Sequence, residues 1–121
     1  MKPWHPSLFA HWYAVARADE VGPRPMAISL MDRHLALART GAGALIALED
    51  RCPHRHAPLS AGRVSGDRLA CPYHGWSFGA DGRLCDIPGL PPDIALPDVR
   101  VHAFATCELD GFVWLRPGRT G

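Results

Sequence analysis

The sequence predicts an all-β domain, and three observations carry that expectation. Short apolar segments recur along the chain, each bounded by Gly, Pro or Asp. Several of them alternate apolar and polar residues, which is the period of a half-buried strand. Helical signal is sparse, limited to one turn near Pro6 to Ala10. At 121 residues with 47% hydrophobic content, the chain is long enough for a single domain, residues 1–121, with a modest core. No repeat, low-complexity tract or internal linker divides it.

The elements follow in order. "WYAVA" (Trp12 to Ala16) reads as a strand, and "ADEVGPRP" turns out of it. "MAISLM" (Met26 to Met31) and "HLALAR" (His34 to Arg39) flank a hairpin at Asp32-Arg33. "TGAG" turns into "ALIALED" (Ala44 to Asp50), and these four strands are expected to form a first sheet. "GRVS" and "RLAC" are joined by Gly66-Asp67, and "WSF" and "RLC" by Ala80-Asp81-Gly82. Asp-Gly tolerates the positive φ that tight hairpins need. "DIPGLPPDIALPD" (Asp86 to Asp98) is expected to be an ordered loop, because proline cannot donate to a sheet. "VRVHAFATCEL" alternates, with Val99, Val101, Ala103, Ala105 and Cys107 on one face, and Asp110-Gly111 turns into "FVWL" (Phe112 to Leu115).

Charge excludes several function classes. Lys plus Arg number 13 and Asp plus Glu 12, and the net charge is +1. That balance leaves no footprint for nucleic acid or for an anionic membrane. No apolar run is long enough to span a bilayer, and "MKPWHPSLFAHW" lacks the apolar core of a secretory signal. A cytoplasmic location is the default expectation. Four cysteines could make two disulfides only in an oxidising compartment, to which nothing in the sequence points.

The cysteines are instead interleaved with histidines. "CPHRHAPLSAGRVSGDRLACPYHGWSFG" holds Cys52 with His54 and Cys71 with His74, separated by sixteen residues. Alternate residues of an extended segment point the same way, so Cys52 and His54 can face one metal centre. Cys71 and His74 suit a turn. Zinc accepts two Cys and two His, but its usual fingers pair like with like. Mixed pairs suit a [2Fe–2S] cluster of the Rieske kind, with Cys52 and Cys71 on one iron and His54 and His74 on the other. Zinc binding by a non-redox module stands as an alternative, as does simple packing of the four side chains.

The segment resembles the Rieske domain of ring-hydroxylating and demethylating oxygenases of the vanillate-demethylase type. "HWYAVARADEV", "CPHRHAPLSAGRV", "CPYHGWSF", "DGRLCDIPG" and "GFVWLRP" carry the resemblance across nearly the whole chain. It implies three small antiparallel sheets, with a cluster-binding part at about residues 50–80 forming the tip of a barrel-like base. Ile87 to Pro97 is a candidate cover. It also implies one [2Fe–2S] cluster per chain, a reductase as electron donor, and an oxygenase catalytic domain or subunit as acceptor. Oxygenases of this kind activate oxygen at a mononuclear iron in a large further domain, so this chain by itself is not expected to do so.

Imidazole ligation raises a cluster's potential into the range of roughly −150 to +300 mV. The respiratory type adds a Cys in each loop and a Ser hydroxyl. Here Ala57, Tyr73 and Trp76 stand in those places, which points to the low end. The exposed imidazole edge is the expected electron-exchange point, with Arg55 and His56 beside it either helping partners to dock or simply solvated. Trp76 is expected to pack against the loops, and Gly62 and Gly75 to permit tight backbone. Cys85 and Cys107 read as small core residues, His102 as a surface residue, and His5, His11 and His34 as lone histidines. The expected activity is single-electron transfer within an oxygenase system. The chain would act as a free carrier or, alternatively, as the excised or split Rieske domain of a terminal oxygenase.

Overall fold

The computed structural model describes residues 5–53, 57–73 and 75–118. Its strands are β1 (Tyr13–Arg17), β2 (Met26–Leu30), β3 (Arg33–Arg39), β4 (Leu45–Glu49), β5 (Arg63–Ser65), β6 (Arg68–Ala70), β7 (Ser77–Phe78), β8 (Leu84–Asp86), β9 (Ala105–Leu109) and β10 (Phe112–Arg116). They pair antiparallel into three sheets, ordered β1-β10-β9, β2-β3-β4 and β5-β6-β7-β8. Helix among the described residues is confined to three 3-10 turns at Pro6–Ala10, Ala18–Glu20 and Leu59–Ala61. None of it is long and apolar enough to cross a membrane.

The β2-β3-β4 sheet is a wall between two cores. On β3, Ala36 and Ala38 face one core while Leu35 and Leu37 face the other. On β4, Ile46 and Leu48 join the first and Ala47 the second. This is the period of two acting on a sheet buried on both sides. Cross-strand partners match large to small: Ala36 opposes Leu48, Leu37 opposes Ala47, and Ala38 opposes Ile46. The first core adds Leu59, Leu69, Phe78, Leu84, Val101 and both Cys52 and Cys71. The second adds Val21, Phe104, Val113 and Leu115, closing the wall against the β1-β10-β9 sheet.

Arg39, at the end of β3, ties wall and sheet together. Its guanidinium donates to the carbonyls of Val21 (2.8 Å), Gly43 (3.0 Å) and Ala18 (3.1 Å) and pairs with Glu108 of β9. The hydrogen bond and charge of Arg39 hold the Glu108 carboxyl below the usual range.

Four expectations need correction. β1 does not join β2, β3 and β4; it pairs antiparallel with β10, so the first and last strands lie side by side in a separate sheet. The first hairpin turns at Met31 and Asp32, both at positive φ, one residue earlier than expected. The alternating run from Val99 is broken: only Ala105–Leu109 forms a strand. Arg100 and Ala103 make isolated bridges to Arg83 and Leu48 as the backbone crosses between sheets. Finally, His102 is half-buried, edge-on to Phe104 at 4.8 Å between ring centres.

Candidate metal centre

Each candidate cysteine opens a loop and closes it with its own backbone. The Cys52 amide donates to the Ala57 carbonyl at 2.8 Å, and the Cys71 amide to the Trp76 carbonyl at 2.7 Å. The two Cys–His pairs are unequally spaced in sequence, yet each cysteine amide donates to the carbonyl of the residue five positions on. Cys52 directly follows the wall strand β4 and its bend, and Cys71 directly follows β6. Strand registry therefore fixes where both sulfurs enter the core.

The first loop is held from behind by Asp50. Its carboxylate accepts the Ser60 amide at 2.7 Å and the Ser60 hydroxyl at 2.6 Å. This clamp draws the 3-10 turn Leu59–Ala61 against the strand end and buries Leu59 completely. The chain then passes Ala70 so closely that a Cβ at Gly62 would lie 1.8 Å from the Ala70 carbonyl oxygen. Gly62 is thus required by space, and it brings the first loop beside the residue preceding Cys71. Gly75 is required by conformation, at φ +71°. Both fit the tight backbone expected of them.

Cys52 is 0% exposed and Cys71 2%, and neither forms a disulfide. Burial pushes the Cys71 thiol up; a backbone hydrogen bond from Tyr73 opposes the rise, while a hydrogen bond with the Cys52 thiol adds to it. The structure therefore brings together two free, buried sulfurs from loops nineteen positions apart in sequence. Trp76 is partly buried and packs against the same core. This sulfur pair fits the thiolate half of a [2Fe–2S] site, in which two cysteines share one iron.

His54, His74, Arg55 and His56 lie outside the described residues. Among the described residues no cluster of three or more His, Cys, Asp or Glu is placed to hold a metal. Cys85 is half-buried, its thiol donating to the Arg83 carbonyl at 3.3 Å. Cys107 is exposed rather than in the core, because strand β9 turns it to the outer side of its sheet. Sequence reasoning missed the Asp50–Ser60 clamp and the Tyr73 amide. Neither carries a spacing signal, since both depend on how the loops fold back.

Residues 11–105 match the family model of the Rieske [2Fe-2S] domain. The oxygenase component of chloroacetanilide N-alkylformylase from Rhizorhabdus wittichii is 49% identical over 106 residues, 85% of this chain and 29% of that protein. The vanillate O-demethylase oxygenase subunit of a Pseudomonas species is 35% identical over 107 residues, covering 88% of this chain and 29% of that protein. Among solved structures, apo dicamba monooxygenase superposes with a TM-score of 0.84 at 37% identity, over 92% of this chain and 34% of that one. The chain thus spans about a third of the length of the relatives it matches. A domain of this kind binds a [2Fe–2S] cluster, which displaces the zinc alternative. With its three antiparallel sheets and paired cysteine loops, the chain belongs to the Rieske [2Fe-2S] domain family.

Proposed function

We propose that this chain is a low-potential Rieske electron-transfer module of an aromatic-ring or demethylating oxygenase system. Cys52 and Cys71 would hold one iron and His54 and His74 the other. The observation that carries the reading is the pair of free, buried sulfurs brought together by two backbone-closed loops. A [2Fe–2S] cluster in such a site supplies reversible one-electron transfer.

The chain's own residues set the conditions. Leu59, Leu69, Phe78 and Trp76 surround the cysteines with apolar surface and exclude water from the sulfurs. The Tyr73 amide donates toward the Cys71 sulfur, stabilising its charged form. Ala57 is buried and Tyr73 is 64% exposed. Neither can supply a disulfide between the loops, and Trp76 offers no hydroxyl. These features support a potential at the low end of the Rieske range. Arg55 and His56 would assist docking of a reductase, which donates the electron, and of an oxygenase catalytic domain, which accepts it. Four cysteines without a disulfide suit a reducing cytoplasm.

One observation favours the reading as a domain of a terminal oxygenase over a free carrier: the relatives are oxygenase components about three times as long. In either form the chain carries the electron and does not activate oxygen by itself.

An EPR-monitored redox titration of anaerobically purified chain tests the proposal. The expected result is a rhombic signal on reduction, near the bottom of the range at roughly −150 mV. A clearly positive potential would overturn the reading of Ala57, Tyr73 and Trp76. Protein that retains zinc and gives no signal would overturn the electron-transfer role.

A further inference from the structure

No covalent link joins the two cysteine loops, since all four cysteines are free. Backbone closure does not register one loop against the other. The Cys52 and Cys71 amides each bond within their own loop, to Ala57 and to Trp76. A loop closed on itself keeps its shape but leaves its tilt toward its neighbour undecided.

The Asp50 carboxylate supplies the missing tie. Its own backbone is fixed to the wall, the Asp50 amide donating to the His34 carbonyl of β3 at 3.0 Å. From that anchor Oδ1 accepts the Ser60 amide at 2.7 Å and Oδ2 accepts the Ser60 hydroxyl at 2.6 Å. Two charge-assisted hydrogen bonds to one residue fix its direction as well as its distance. Among the described residues, these are the only side-chain hydrogen bonds made to residues 57–62.

The turn around Ser60 carries that position onward. The Ala61 and Gly62 amides donate to the carbonyls of Pro58 (3.1 Å) and Leu59 (2.9 Å), so Gly62 moves with Ser60. Gly62 lies against the Ala70 carbonyl with no room for a side chain. Ala70 is buried and immediately precedes Cys71. Leu59, in the same turn, is fully buried in the core that contains both cysteines. Asp50 itself stands two residues before Cys52. One carboxylate is thus tied to the first sulfur by a short stretch of backbone, and to the second through a bonded turn and a close backbone contact.

We propose, resting on the electron-transfer reading above, that Asp50 acts through Ser60 as the positioning residue that registers the two cysteine loops and so governs retention of the cluster. Truncating Asp50 should therefore disturb the Cys71 loop, to which it makes no hydrogen bond among the described residues.

Residue-resolved hydrogen exchange on the 121-residue chain, purified anaerobically, reads that disturbance directly. In Asp50→Ala the Cys71 amide should exchange about tenfold faster or more, the scale of one lost charge-assisted hydrogen bond. Amides of β9 and β10 should keep their wild-type rates. Iron release to a chelator should accelerate by a similar factor, and the EPR g-values of the reduced protein should shift. Asp50→Asn still accepts the Ser60 amide and donates to its hydroxyl, so it should recover the wild-type exchange, iron release and g-values. Leu37→Ala, buried in the other core, should lower global stability without moving the g-values. Should Asp50→Ala fail to fold, Ser60→Ala decides. It removes the hydroxyl bond alone and should show the same changes in smaller measure. Wild-type exchange at Cys71 in the folded variant overturns the proposal. So does an Asp50→Asn protein that behaves like Asp50→Ala. Equal acceleration in β9 and β10 also overturns it, since Asp50 would then be a general support. The exchange measurement needs no iron. Faster exchange at Cys71 in a chain that never gives a cluster signal would count against the electron-transfer reading alone.

Discussion

The two cores on either side of the β2-β3-β4 wall use the same strands for different ends. The core toward β1, β9 and β10 is built from aliphatic residues and Phe104. The core toward the loops includes Cys52 and Cys71 among residues equally well buried. One side can be completed by packing alone. The other surrounds two buried sulfurs, and burial pushes the Cys71 thiol up. A metal centre relieves that effect, since ligation takes the place of the thiol protons. The comparison teaches that the base is a scaffold in its own right, whereas the loop side is complete only when loaded.

The largest expected effect breaks the loop side outright. Cys52→Ser or Cys71→Ser should abolish the visible and EPR spectra of the cluster while far-UV circular dichroism retains the β signature. Loss of the β signature as well would show that the base is not independent. The next effect sharpens the contrast. Leu48→Ala and Leu37→Ala truncate buried leucines on opposite sides of the wall. Each is expected to lower unfolding free energy by about 2–5 kcal/mol. Only Leu48→Ala should also accelerate iron release to a chelator, and equal acceleration by Leu37→Ala would erase the distinction.

A smaller effect tests how the base is joined to the wall. Arg39→Ala removes charged hydrogen bonds to three carbonyls and should cost about 1–3 kcal/mol in denaturant unfolding. The pH dependence has a definite sign. Glu108 has a folded pKa below its ordinary value, so its contribution is present above the ordinary glutamate range. It is lost as pH falls through the lowered folded value. Wild type and Glu108→Gln should therefore converge in stability in acid, and a difference that persists there would show that Arg39 does not cause the shift.

Much of this was legible in sequence because it depends on short spacing. The Asp110-Gly111 and Gly66-Asp67 turns stand where dipeptide chemistry places them. The two cysteines announced themselves by their histidines. Cys107 was not legible in the same way. Its alternation with Val101 and Ala103 suggested one inward face, but the strand begins only at Ala105 and the sheet it joins turns Cys107 outward. Alternation tells which residues share a face, and not which face meets the core.

By itself the sequence determined the strand-and-turn rhythm, the all-β class and the mixed Cys–His pairs, because each is written within a few residues of backbone. Tertiary structure alone decided that β1 pairs with β10, that Arg39 of β3 meets Glu108 of β9, and that Cys52 and Cys71 share one buried pocket of sulfur. These are long-range pairings, chosen by which surfaces lose most contact with water when the whole chain closes.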